Sequence, residues 1–206
     1  MLRHIARLAR PISAALRSSI GGWRLLSPHR DLPRFLVVIT AFMMSMLGLV
    51  LADNLITLFV FWELLAITSA FLVWARNSSR SFVIGFRYLI IHVVSGVLLL
   101  CGALMFARDT GSVGFEHIGL ENSSLAAWLI LIAFGIKAGF PIAHNWITEA
   151  YPESTPTGAV FLSAFTTKVA VYALARGFAG ADILIYIGTV MTFFPIFYAV
   201  LENDLR

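Results

Sequence analysis

The sequence predicts an all-α membrane protein of about six transmembrane helices. Mean hydropathy is +0.87, and 59% of the 206 residues are hydrophobic while only 13% are charged. Apolar runs of roughly 20 residues, the length that crosses ~30 Å of hydrocarbon, follow one another with short polar connections. A soluble domain of this size could not bury so much apolar surface, including 17 phenylalanines. The one cysteine, Cys101, lies inside an apolar run, which excludes a disulfide framework and a cysteine-based metal site or cluster. No metal and no cofactor are expected on this chain.

The first segment, 1–34, reads "MLRHIARLARPISAALRSSIGGWRLLSPHRDLPR". It holds seven arginines against one acid, Asp31, and its apolar residues recur at roughly helical spacing. That composition suits a mitochondrial transit peptide, and it suits equally an uncleaved amphipathic helix on an anionic membrane face. From Phe35 onward a transmembrane domain fills 35–206. Its spans fall at about 35–52, 55–75, 84–107, 124–148, 157–176 and 182–201. The connections, "DN", "RNSSRS", "RDTGSVGFEHIGLENSS", "EAYPESTP" and "GFAGAD", leave no room for an extramembrane domain.

Basic residues orient the spans. With the N-terminus inside, Arg76, Arg80 and Arg87 share a side with the Arg-rich segment, and Asp109, Glu116 and Glu121 lie opposite. The setting is either the mitochondrial inner membrane, which the composition of the first segment suits, or the bacterial cytoplasmic membrane.

Ionisable residues inside spans are the functional signal. Glu63, His92, Lys137 and Lys168 lie well inside apolar runs, and His144 stands near the end of the fourth. A charge at a helix centre costs about 2.5–3.5 kcal/mol on insertion scales, so each marks a function or a buried partner. Glu63 and Lys137 could serve only as a structural ion pair. His92, beside Ser95 and Gly96, suits a packing histidine as well as a proton relay, while Trp62 and Trp146 read as packing or interfacial aromatics.

The stretch "IAFGIKAGFPIAHNW" tips the balance toward function. Pro141 lacks the N–H that would bond the Lys137 carbonyl and clashes with it, so Gly139 and Pro141 break the helix near 137–141. A buried lysine changes its proton affinity as a carboxylate approaches or recedes, which is a physical basis for a pump element. His144 would pass protons between Lys137 and one aqueous side.

The stretches "LGLVLADNLITLFVFWELLAITS" and "KAGFPIAHNWITEAYPESTPTGAVFLSAFTTKVAVYALAR" resemble the antiporter-like subunits shared by Mrp-type cation/proton antiporters and respiratory complex I. Within that family, "YPESTPTGAVFLSAFTTKVAVYALAR" resembles the bacterial Mrp-type branch more than the mitochondrial complex I subunits. The resemblance covers about residues 35–206 and implies one five-helix antiporter-like repeat plus one helix. In that family two inverted repeats each supply a proton half-channel. Glu63 matches the family's glutamate, Lys137 its broken-helix lysine, Lys168 its connecting lysine and His144 its motif histidine. The chain as given has no counterpart to the family's first three helices and stops at "LENDLR". The resemblance therefore implies other membrane subunits as partners, including a chain that supplies the missing second repeat, alongside lipids and without nucleic acid.

Two functions compete. The first is a proton or cation/proton half-channel along a Glu63, Lys137, Lys168 axis, within a larger complex of the respiratory or antiporter type. The other is a structural or accessory subunit that keeps the antiporter fold without transport of its own. A small independent channel fits less well, because the flank of an unpaired repeat would need covering. No Ser/His/Asp arrangement, cysteine pair or phosphate-binding glycine loop points to an active site on this chain.

Overall fold

The computed structural model describes residues 32–120 and 124–201. The expected surface helix or transit segment over 1–34 lies almost wholly outside the described residues, as does Glu121. The chain divides into two units, 1–37 and 38–206. Of the first, only the opening turns of the helix Leu32–Val50 (α1) are described.

Each element of the second unit begins or ends on a residue suited to it. Helix α2, Leu55–Trp74, starts where the Asn54 side chain accepts the Thr57 N–H at 2.7 Å. Helix α3, Ser79–Thr110, opens on a reciprocal capping box between Ser78 and Ser81 and closes at Gly111, whose φ of 73° is left-handed. That cap starts α3 earlier than the apolar run at 84 predicts. Helix α4, Leu125–Ala138, is capped by Ser124.

Helix α5, Asn145–Glu153, follows after a turn and occupies most of a segment that the sequence reads as connection. Thr155 caps α6, Pro156–Phe161, with the proline in the first turn, where its missing N–H costs nothing. A π-helical turn, Leu162–Thr166, joins α6 to α7, Thr167–Gly177. Helix α8 runs from Asp182 to Leu201 and contains Pro195. Among the described residues α1, α2, α3 and the composite Pro156–Gly177 are each long and apolar enough to cross a membrane. The fourth expected span, 124–148, is divided into α4 and part of α5.

Two inward stripes at helical spacing hold the second unit together. On α2 the buried residues include Leu58, Trp62, Leu65, Ser69 and Leu72, while Val60, Leu64, Ile67 and Phe71 are exposed. On α3 the buried set is small and polar, with Ser81, Gly85, Tyr88, His92, Ser95 and Gly102 among it. Small residues let helices approach closely in a bilayer, where apolar side chains gain little by leaving lipid. Helix α3 accordingly packs against α2, α4 and α5, and α4 packs against α7.

The two ends are tied differently. At one end Glu153 pairs with Arg76 at 3.5 Å and Arg80 at 3.3 Å, and Glu149 takes two bonds from Arg87, so α5 is fastened to the start of α3. At the other, the connection after α3 runs as a strap. It exchanges backbone bonds with the α1–α2 corner through Leu55 to Val113 and Phe115 to Asp53, and with the end of α7 through Ile118 to Gly177. Arg176 donates to the Ala52 carbonyl at 2.8 Å and lies over the Phe115 ring. Among the described residues the Asn54–Gly114 bridge is the one strand-like pairing.

A Cβ added at Gly102 would stand 2.7 Å from Ile130 Cγ1 and 3.0 Å from the Ala126 carbonyl oxygen, so the α3–α4 contact leaves no room for it. Gly102→Ala should destabilise the fold by about 1–3 kcal/mol, read as a lowered unfolding midpoint in detergent. Gly188→Ala, where the added carbon meets open space, should leave that midpoint within about 1 kcal/mol of the starting protein.

Candidate functional site: a buried lysine at a broken helix

Helix α4 ends at Ala138 because Gly139 adopts a φ of 85°, which only glycine takes without strain. Its N–H and that of Phe140 both bond the Gly135 carbonyl at 2.9 Å, closing the helix as a Schellman-type turn. Pro141 then makes continuation of α4 impossible. The Ile136 carbonyl, freed by the break, accepts the Trp146 indole N–H at 3.0 Å. One carbonyl at the break is thus satisfied by a side chain from the next helix.

Lys137, on the last turn of α4, is fully buried. Its ammonium donates to the Trp62 carbonyl at 2.9 Å and lies 4.3 Å from the centre of the Trp62 ring. The C-terminal end of α4 adds favourable dipole charge, and the indole face attracts the cation. Ser95 fixes Trp62 in turn, accepting the indole N–H at 3.1 Å and donating to the Ala133 carbonyl at 2.8 Å. One serine thus ties α2, α3 and α4 together beside the lysine.

Glu63 is the next residue along α2 and is partly buried. It interacts electrostatically with Lys137, yet the lysine's hydrogen bond goes to Trp62 and Glu63 Oε1 has no hydrogen-bond partner among the described residues. The carboxylate lies against α3 at Gly96, where an added Cβ would fall 1.5 Å from Oε1. The absence of a side chain at Gly96 is what makes that seat.

His92, one turn before Gly96, is fully buried. Its Nδ1 lies 3.0 Å from the Tyr88 carbonyl, an acceptor only, so Nδ1 carries the proton and Nε2 is the lone-pair nitrogen. The ring stacks on Tyr88 at 4.0 Å and meets Trp146 edge to face at 4.5 Å. Among the described residues no group of three His, Cys, Asp or Glu could hold a metal ion.

The structure thus brings Glu63, His92 and Lys137 together. His144 immediately precedes α5, is partly buried, and follows Lys137 across the turn at Gly139 and Pro141. Lys168 is exposed, and its ammonium donates to the Ser163 carbonyl at 3.0 Å and the Thr167 hydroxyl at 3.2 Å. Trp62 and Trp146, read from the sequence as packing or interfacial aromatics, contact the site directly, as do Ser95 and Gly96, noted there only as neighbours of His92. Tyr88 is a further site residue that the sequence reading does not name. The buried series Tyr88, His92, Ser95, Leu99 on α3, at steps of four and three, is the pattern in the sequence that points toward this face of the helix.

The profile of the family described as NADH:quinone oxidoreductase/Mrp antiporter, TM, matches residues 52–202. The chain belongs to this family. A proposed antiporter subunit of Staphylococcus aureus (strain MRSA252), mnhA2, is 34% identical over 200 residues, covering 88% of this chain and 25% of that protein. This member of the antiporter-like family therefore spans about a quarter of the length of the curated relatives it matches. Among solved structures it is similar to a chain of the Mrp complex from Dietzia sp. (TM-score 0.65, 25% identity, 74% of this chain and 31% of that one). It shares its fold with a chain of respiratory complex I from Thermus thermophilus (TM-score 0.68, 24% identity, 79% and 38%).

Ser95→Ala should leave the Trp62 indole N–H buried without its acceptor and cost about 1–3 kcal/mol. Intrinsic tryptophan fluorescence should report a changed Trp62 environment, and the unfolding midpoint should fall.

Proposed function

We propose that this chain contributes a proton, or cation/proton, half-channel to a membrane-bound energy-transducing complex. Lys137 is the titrating centre, Glu63 the charge that modulates it, His144 the access to one aqueous side and Lys168 the onward relay. The observation that carries this reading is the burial of an intact lysine side chain in an antiporter-like membrane fold, with its ammonium held by one carbonyl and one indole face. A purely structural ion pair would gain most from direct contact between ammonium and carboxylate. Here the carboxylate has its own seat against Gly96, close enough to act on Lys137 through space.

The exposed position of Lys168 supports the inference of a partner. An ammonium facing hydrocarbon at a helix centre costs about 2.5–3.5 kcal/mol, so a protein surface with polar groups or water beside Lys168 would relieve it. A chain carrying the second repeat of the relatives has the chemistry for that surface. The Mrp-complex relative favours a bacterial cytoplasmic membrane as the setting.

Lys137→Ala should abolish proton movement, followed with a pH-sensitive dye in vesicles, while the amount of assembled complex stays the same. Unchanged proton movement in that variant, with assembly lost only on deletion of the chain, would instead support an accessory subunit. Gly96→Ala should displace the Glu63 carboxylate without opening the helix packing, because the atom it meets is the far end of a flexible side chain. It should slow proton movement about tenfold, the equivalent of ~1.4 kcal/mol of altered interaction at Lys137.

A further inference from the structure

At the end of the bundle where α5 meets the start of α3, three arginines face two glutamates. Arg76 and Arg80 pair with Glu153 and Arg87 pairs with Glu149, which leaves one positive charge unmatched within the group. The guanidinium donors are also only partly used. Among the described residues Glu153 engages Arg80 at Nε alone, 3.3 Å away, and Glu149 takes both of its bonds from Nη1 of Arg87. Both Nη nitrogens of Arg80, and Nε and Nη2 of Arg87, remain for another acceptor, and the two side chains are 78% and 60% exposed.

These arginines head a stripe with a defined pattern. Arg80, Val83, Arg87, Ile90 and Val94 recur along α3 at steps of three and four, so they share one face, and all five are exposed. Charge occupies the end of the stripe and hydrocarbon the length beyond it. Trp74 fixes the depth. Its indole donates to the Phe82 carbonyl at 3.1 Å and its ring stacks on that of Phe82; an amphipathic indole settles at the headgroup level of a bilayer. Arg80 and Arg87 bracket Phe82 in the chain, about 10 Å apart by helical rise.

We propose that this stripe binds one anionic phospholipid, its phosphodiester held by Arg80 and Arg87 and an acyl chain laid along Ile90 and Val94. Guanidinium groups match phosphate oxygens in shape and charge. One phosphodiester supplies the negative charge that Glu149 and Glu153 leave wanting. A zwitterionic lipid brings a cation of its own beside the phosphate and fits this balance less well. Because the same arginines hold Glu153 and Glu149, a bound phosphate also orders the side chains that fasten α5. Binding of this kind is independent of whether the chain moves protons.

The test takes the complete complex in detergent, equilibrates it with equal amounts of phosphatidylglycerol and phosphatidylcholine, removes the excess and extracts the phospholipid that stays bound. The starting complex should keep about one more phosphatidylglycerol than an Arg80→Gln/Arg87→Gln complex. Arg80→Lys/Arg87→Lys, which keeps both charges, should retain most of that difference, and Arg108→Gln, at the far end of α3, should change nothing. Arg80→Gln alone leaves both Glu149 bonds to Arg87 in place. It should lower the preference for phosphatidylglycerol about tenfold, and it decides the matter if the double variant assembles poorly. Equal phosphatidylglycerol in the starting and Arg80→Gln complexes would overturn the site. Loss of a protein subunit from the variant with lipid content unchanged would also overturn it, assigning the stripe to a protein partner.

Discussion

One ammonium group, buried completely inside an apolar helix bundle, sets the terms for the rest of the site. Removing a lysine charge from water costs several kcal/mol even after relaxation. Lys137 recovers part of that cost from the Trp62 carbonyl, the Trp62 ring and the end of α4. The last of these depends on α4 ending where it does. If α4 continued past Ala138, its terminal carbonyls would be consumed by regular bonds. The break at Gly139 and its capping by Trp146 therefore belong to the same device as the lysine.

Holding that device in register falls to α3. Its inward stripe carries no large aliphatic residue between Ser81 and Leu99, so α2 and α4 approach it closely. Ser95 then reaches both neighbours, bonding Trp62 on one side and Ala133 on the other. Gly96 leaves a space that the Glu63 carboxylate fills. The salt bridges from Glu149 and Glu153 fasten α5, and since their arginines lie partly or largely in the open each pair is worth little. Their value here is positional: α5 carries Trp146, which packs on His92 and caps the broken helix.

The two lysines illustrate how context separates identical side chains. Lys137 is enclosed and held by backbone and indole, whereas Lys168 is exposed and held by a carbonyl and a hydroxyl at the π-helical turn. A regular helix from Pro156 to Gly177 would point Lys168 elsewhere. One extra residue in a turn rotates every later side chain by about 100° relative to the earlier ones. Membership of the antiporter-like family accounts for the helices; the local hydrogen bonds account for the difference between the lysines.

By itself the sequence determined the membrane class, most of the long helices and the break, because apolar run length and the Gly139–Pro141 pair act over a few residues. The early start of α3 and the separate helix α5 depend on capping and packing that run length does not register. The sequence also marked Glu63, His92 and Lys137, since charge inside hydrocarbon is costly wherever it occurs. The tertiary structure alone decided what those residues touch. That the Trp62 carbonyl receives the ammonium, that Glu63 sits against Gly96, and that Trp146 meets His92 all follow from how α2, α3, α4 and α5 are registered against one another. Register arises from side chains far apart in the chain meeting across a helix interface, as Trp62 and Ser95 do. A linear pattern carries no distance between such residues, so only packing could supply it.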